Sequence, residues 1–219
     1  MPKPSTTVSR LAEKQSTSRA ELDDLLDRTP LATIAFVRDG HPVALPIGFA
    51  RIADDVVIHG STGSPWLRQL ADGAPAAVSV TTLDGVMVAR SGFESSFHFR
   101  SAVLFGTFDE IDDDKVRYLE TLTDTFIPGR VAELRASNRK EIAATLVLRM
   151  PITAENWSLK IGAGWPEDPE EDVAAGGWAG VVPLTTVYGE PQRSPDCDEN
   201  IPVPASVRQM SGELANRRR

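Results

Sequence analysis

Short apolar, β-branched runs follow one another along this chain, broken by turn-forming residues. Most connections between them are too short for the crossover of a dozen or more residues that parallel strands need. Residues 32–38 and 43–51 flank Asp39-Gly40, a pair that tolerates the positive φ angles of a tight hairpin. Ala53-Asp54-Asp55 makes the next turn, and Val56-Val57-Ile58 delivers His59 at a strand end. Residues 76–82 and 86–90 flank Leu83-Asp84-Gly85, which predicts a further hairpin. Residues 97–108 are long enough for a sixth strand, and residues 145–152 return to strand character. Six or seven short antiparallel strands with few helices predict a mainly β fold, a closed or half-closed barrel.

The helices are few and short. Ser18 and Glu21 have capping-box spacing, and Leu22, Leu25 and Leu26 give the helix that follows one apolar stripe, ending near Thr29-Pro30. Residues 65–71 predict a second helix with proline at its start. Asp112 to Asp114 can cap a third, in which Val116, Leu119, Leu122 and Phe126 share a face and Pro128-Gly129 is the stop. The expected organisation is an N-terminal arm at 1–17, one barrel domain at 18–161, an acidic loop and docking segment at 162–189 and a flexible C-terminal tail at 190–219. The acidic loop carries Glu167, Asp168, Glu170, Glu171 and Asp172, and the apolar island 178–184 is a docking strand or simply packs on the barrel.

Composition narrows the function. Lys and Arg total 23 against 31 Asp and Glu, a formal net charge of −8, which disfavours a nucleic-acid surface and favours small molecules. The one cysteine, Cys197, forms no intrachain disulfide and no cysteine-based metal site, so a cytoplasmic location is expected. No apolar run approaches the roughly 18–20 residues of a membrane helix, and the polar start lacks the apolar stretch of a signal peptide. A phosphate-binding GxxxxGK[ST] loop, an HExxH helix and a GxSxG elbow are all missing, and Gly162-Ala163-Gly164 lacks the third glycine of a dinucleotide fingerprint. His41, His59 and His98 have no ligand spacing, so no metal site is expected, and redox chemistry would need a borrowed cofactor.

Two segments can carry chemistry. Residues 58–64, Ile-His-Gly-Ser-Thr-Gly-Ser, place hydroxyls and backbone N–H groups where a strand passes into a helix N-terminus, which suits a phosphate monoester. Arg68, one turn on, adds a charged contact. The plain alternative is a polar loop with an N-cap serine. In the sixth strand, alternation puts Phe97, Phe99, Ser101, Val103 and Phe105 on one face and His98, Arg100, Ala102 and Leu104 on the other. Arg100 there needs an anion, either a carboxylate of the protein or a ligand phosphate.

Several short stretches, in order, resemble the FMN-binding split-barrel proteins. They are Gly40-His41-Pro42 with Leu45-Pro46-Ile47, His59-Gly60-Ser61, Leu83-Asp84-Gly85-Val86 with Ala89-Arg90-Ser91, and Phe99-Arg100-Ser101 with Phe105-Gly106. Ser158-Leu159-Lys160 and residues 178–183 fit the late part of the pattern. The likeness is to the pyridoxamine 5′-phosphate oxidase-related, flavin-nucleotide-binding branch that includes 5-nitroimidazole-resistance proteins. It implies a six-stranded antiparallel split β-barrel that forms a homodimer, with FMN in a groove between subunits.

On that likeness Leu45, Pro46 and Ile47 line the isoalloxazine edge, and Ser61, Thr62 and Ser64 hold the phosphate, with His59, Gly60, Trp66 and Leu67 in the same segment. Trp66 stands where many relatives carry Lys or Arg, which leaves the phosphate charge to Arg68, Arg100, Lys160 or the helix dipole. Phe99 replaces the tyrosine expected before Arg-Ser. FAD or haem are the alternative occupants, and haem binding by some relatives makes His59 a candidate axial ligand. The expected function is a flavin-dependent oxidoreductase acting on a small organic molecule; the alternative is a non-catalytic protein that stores or senses flavin or haem. No side chain qualifies from sequence as the catalytic acid or base.

Overall fold

The computed structural model describes residues 4–212. Its strands are β1 (Gln15–Ser16), β2 (Leu31–Arg38), β3 (His41–Ile52), β4 (Asp55–Ser61), β5 (Ala76–Val88), β6 (Ser96–Gly106), β7 (Asp109–Glu110), β8 (Thr145–Pro151), β9 (Trp157–Gly162) and β10 (Gly180–Pro183). The helices are α1 (Arg19–Arg28), α2 (Pro65–Ala71), α3 (Lys115–Phe126), α4 (Arg139–Ala143), α5 (Glu170–Ala175) and α6 (Ala205–Gly212).

The strands form one antiparallel sheet in the order β1-β9-β6-β5-β2-β3-β4-β8-β7, with β10 added to β5. Among the described residues this order does not close on itself, as a split barrel requires. The ten strands exceed the six or seven expected: β1 and β7 are two residues each, too short to leave a period, β9 and β10 are not among the expected barrel strands, and the two strands expected at 76–82 and 86–90 are one. Asp39 and Gly40 adopt φ of 52° and 77° between β2 and β3, the positive-φ pair the hairpin needs.

The hairpin expected at Leu83-Asp84-Gly85 is absent. β5 runs straight through it as a 13-residue strand, and the register against β6 shifts between Leu83 and Gly85. Neither Asp84 nor Gly85 has a positive φ, so no tight turn forms. A bulge accommodates the extra residue, and the Asp84 carboxylate takes the fork of Arg100 across the pair. A Cβ on Gly85 would lie 2.9 Å from the Val182 carbonyl oxygen, so the glycine lets β10 seat on β5.

The sheet curls around a single core. Ile34, Phe49, Val56, Ile58, Val78, Val80, Ala102, Leu104, Leu148 and Leu159 point inward from seven strands and are fully buried. Ser18 caps α1 by accepting the Glu21 N–H, and Leu22, Leu25 and Leu26 plug the same core. Leu67 and Leu70 of α2 join them. On the outer side of β3, β4 and β8 a smaller cluster of Ala50, Val57, Ile111 and Val147 packs beneath Leu122 of α3. Asp114 precedes α3 in the left-handed region at φ 58° and makes no side-chain cap.

Beyond the barrel, the Asp168 side chain is 1% exposed and accepts both the Arg90 backbone N–H at 2.8 Å and its Nη1 at 2.9 Å, fixing the acidic loop to the end of β5. In the C-terminal segment, the Ser206 N–H and Oγ both donate to the Glu133 carboxylate. These bonds, with Arg130 beside them, hold the Glu133 pKa down at about 2. Residues 213–219 of the expected tail lie outside the described residues.

Candidate functional site

The segment from His59 to Arg68 is built by strand pairing on one side and a helix start on the other. β4 pairs with β8 in the register His59 to Val147, Gly60 to Leu146 and Ser61 to Thr145, and the Thr62 N–H then donates to the Ala144 carbonyl at 2.9 Å. Gly60 is needed here because a Cβ would fall 2.5 Å from Leu67 Cδ1. The chain folds back as a tight turn: the Gly63 N–H donates to Ser61 Oγ at 3.1 Å and the Ser64 N–H to the Ser61 carbonyl at 2.9 Å. Pro65 opens α2, and the Arg68 N–H donates to the Ser64 carbonyl at 3.1 Å.

The donors of Thr62, Gly63 and Ser64 are therefore spent within the protein. Two first-turn N–H groups, of Trp66 and Leu67, make no bond among the described residues, nor do the Thr62 and Ser64 hydroxyls. Arg68 is exposed; its Nε donates to the Thr62 carbonyl, and its two terminal nitrogens make no bond among the described residues. The segment thus offers hydroxyls, two amides and half a guanidinium to an anion.

The other expected site residues separate. Arg100 is already neutralised: Nε and Nη2 reach Asp84 at 3.0 Å each, and Nη1 reaches Asp24 of α1 at 3.1 Å. Bonding to Asp84 raises its pKa further. Two carboxylates of the protein, Asp84 and Asp24, meet this mid-strand cation. Leu45 and Ile47 pack on the core side of β3, while Pro46 between them is exposed on the outer face. The Leu67 side chain is core, leaving only its N–H to a ligand, and Trp66 stacks on Phe36 with ring centroids 6.1 Å apart. Lys160 lies across from Ser101 in the β6–β9 register, and its Nζ meets the Arg10 carbonyl at 3.4 Å.

His59 is set differently. Its Nδ1 is sealed from solvent with no hydrogen-bond partner, and burial pushes the imidazole pKa below its ordinary 6.5. No group of three His, Cys, Asp or Glu residues among those described could hold a bare metal ion.

The larger cavities lie elsewhere. One of about 550 Å³ is lined by Pro4, Pro75, Ala76, Phe105, Gly106 and Met150 among others. A second, of about 440 Å³, shares Pro4, Pro75, Ala76 and Phe105 with it and reaches over Ala35, Val37, Pro42, Ala44 and Ala77. Those last five alternate with the core residues, so this hollow lies on the outer face of β2, β3 and β5. Neither cavity includes a residue of the 59–68 segment. No sequence signal marked these walls, because alanine and proline on an exposed strand face carry no chemical signature.

Residues 18–156 match the profile of the pyridoxamine 5′-phosphate oxidase family, more than half of the chain. The chain belongs to the pyridoxamine 5′-phosphate oxidase-like family. Within the family's fold, the FAD- and haem-binding protein from Mycobacterium smegmatis is 70% identical, with a TM-score of 0.89 over 91% of this chain and 98% of that one. The flavocytochrome Anf3 from Azotobacter vinelandii is 32% identical, with a TM-score of 0.87 over 94% and 95%. A Bacteroides thetaiotaomicron protein assigned to 5-nitroimidazole antibiotic resistance shares the fold at 12% identity, with a TM-score of 0.55 over 66% and 86%. No curated protein matches the sequence. The family match stops short of the 162–212 region, yet the two more similar relatives extend through most of it. No helix among the described residues is long and apolar enough to cross a membrane.

Proposed function

We propose that this protein binds a flavin, as FAD, together with a haem, and acts as an oxidoreductase that carries electrons from a reduced donor to a small acceptor. The observation that carries this reading is the 70% identity, over 91% of the chain, to a protein named for both groups. The flavocytochrome relative supports it at 32% identity. FAD thereby displaces FMN as the preferred flavin. Hydride and single-electron transfer are what a bound flavin supplies.

The chain's own part is binding and orientation. Ser61, Thr62 and Ser64, the Trp66 and Leu67 amides and the free end of Arg68 hold phosphate oxygens. Arg100 and its two carboxylates brace α1 against β5 and β6 instead of meeting the ligand. The outer face that carries the half-buried Ala35, Ala77 and Ser79 and the exposed Ala44, Pro46 and Thr81 meets a second copy of the chain, and the groove between the copies takes the flavin ring. Small, mostly uncharged side chains there allow two sheets to approach closely.

The test is spectroscopic. Purified protein is titrated with FAD, FMN and haemin, then mixed with reduced nicotinamide and a panel of acceptors. Tight uptake of FAD and haemin, with flavin reduction and reoxidation, is the expected result. Uptake with no turnover on any acceptor overturns the oxidoreductase half, and a protein that takes up neither group overturns the whole reading.

A further inference from the structure

The cavity of about 550 Å³ has no part in the functional reading. Ala76 at the start of β5, Phe105 and Gly106 at the end of β6, and Met150 and Pro151 at the end of β8 form its walls, with Pro4 of the N-terminal arm beside them. The neighbouring hollow of about 440 Å³ lies on the sheet face given above to a second copy of the chain. This one lies at strand ends, and none of the six residues named for that face lines it.

The walls are fixed in advance. Asn156 Nδ2 donates to the Phe105 carbonyl at 3.1 Å and to the Pro151 carbonyl at 2.8 Å, while its Oδ1 accepts the Thr153 N–H at 2.8 Å. The Phe105 N–H donates back to the Asn156 carbonyl at 2.8 Å, so one residue staples the ends of β6 and β8 together. The arm is tied as well. Gln15 of β1 accepts the Val8 N–H at 2.9 Å and donates to the Thr6 carbonyl at 3.0 Å. A ligand entering such a site pays little to order it.

The lining sets the ligand's chemistry. Its volume falls within the roughly 300–1,000 Å³ of small-molecule sites, and most of the wall is apolar, with three prolines, Pro4, Pro75 and Pro151. Water finds few partners there, and an apolar molecule that displaces it gains affinity. Two carboxylates, Asp109 and Glu155, line the cavity, and among the described residues no Lys, Arg or His does. Arg149, opposite Asp109 in the β7–β8 register, lies 3.6 Å from Asp55 instead. An anion is therefore repelled. The Thr6 and Thr107 hydroxyls make no bond among the described residues and can meet a neutral polar edge. We propose that this cavity is a binding site for a small, largely apolar molecule without an anionic group, separate from the 59–68 segment.

The probes are N-phenyl-1-naphthylamine and its 8-sulfonate, one ring skeleton without and with an anion, titrated by fluorescence into the full chain. The neutral probe should saturate at one site per chain, and the sulfonate should bind at least about 10-fold more weakly. Asp109→Asn combined with Glu155→Gln should bring the two affinities within about threefold of each other. Thr107→Trp, at an exposed residue of the wall, fills the cavity and should abolish binding of the neutral probe. Thr153→Trp does the same from another part of the wall and keeps the test open if circular dichroism shows the first variant unfolded. Val37→Trp, which touches only the neighbouring hollow, should leave binding unchanged. The proposal is overturned if the neutral probe shows no saturable uptake, if the wild type takes the sulfonate as tightly, or if both folded threonine variants still bind. Loss of binding in Val37→Trp alone moves the probe to the neighbouring hollow and overturns it too.

Discussion

Replacing Arg100 with methionine separates a structural cation from a ligand-binding one. The guanidinium makes three charged hydrogen bonds, two to Asp84 and one to Asp24, and its side chain is 27% exposed against 35% and 43% for its partners. Exposed pairs contribute about 0.2–1 kcal/mol and breaking a fully buried one costs about 3–5 kcal/mol, so a half-buried network falls at roughly 1.5–3 kcal/mol. At about 2–4 °C per kcal/mol for a chain of this size, Arg100→Met should lower Tm by roughly 3–12 °C. Thermal and urea unfolding measure the loss, and an Asp84→Asn double-mutant cycle should be non-additive. FAD titration at a temperature where the variant is folded should give an unchanged Kd. A Tm within about 1 °C of wild type, combined with tenfold weaker FAD binding, would refute the reasoning and return Arg100 to the ligand.

Arg68→Gln should do the reverse, weakening FAD by roughly 10- to 150-fold, the equivalent of 1.5–3 kcal/mol for a charged hydrogen bond, with Tm nearly unchanged in the same two assays. Leu25→Ala, in the fully buried face of α1, should cost about 2–5 kcal/mol in urea unfolding; a cost below about 1 kcal/mol would mean α1 does not plug the core. His59 titrates below 6.5 when folded, so the unfolded chain binds the extra proton first and stability is full above that value. It should fall as pH drops from about 6.5 through the folded pKa, and His59→Gln should flatten that part of the stability profile. Gly85→Ala should push β10 from β5, seen as faster amide exchange at Val181 and Val182 while the barrel strands keep their protection.

Much of the barrel could be read from the chain because its signals are local. Asp39-Gly40 needs positive φ wherever it occurs, Ser18 caps its own helix, and Pro65 starts α2 at the expected residue. The errors are of a different kind. Leu83-Asp84-Gly85 has turn composition, but the Arg100 fork on Asp84 and the seat for β10 are long-range facts, separated by 16 residues and by almost a hundred. Arg100 was legible as a cation in need of an anion; which anion depended on α1 and the bulge meeting at one end of the barrel. The orphaned nitrogen of His59 had no signature at all, since only packing reveals that a partner is missing.

The two ends of the hydrogen-bonded ladder hold only Gln15–Ser16 and Asp109–Glu110, and the latter pair is acidic. Such stubs give an incoming backbone almost nothing to zip onto. Lengthening the sheet through those two stubs is therefore disfavoured. A self-complementary face, by contrast, is used up by one neighbour, so an association through it ends at two copies.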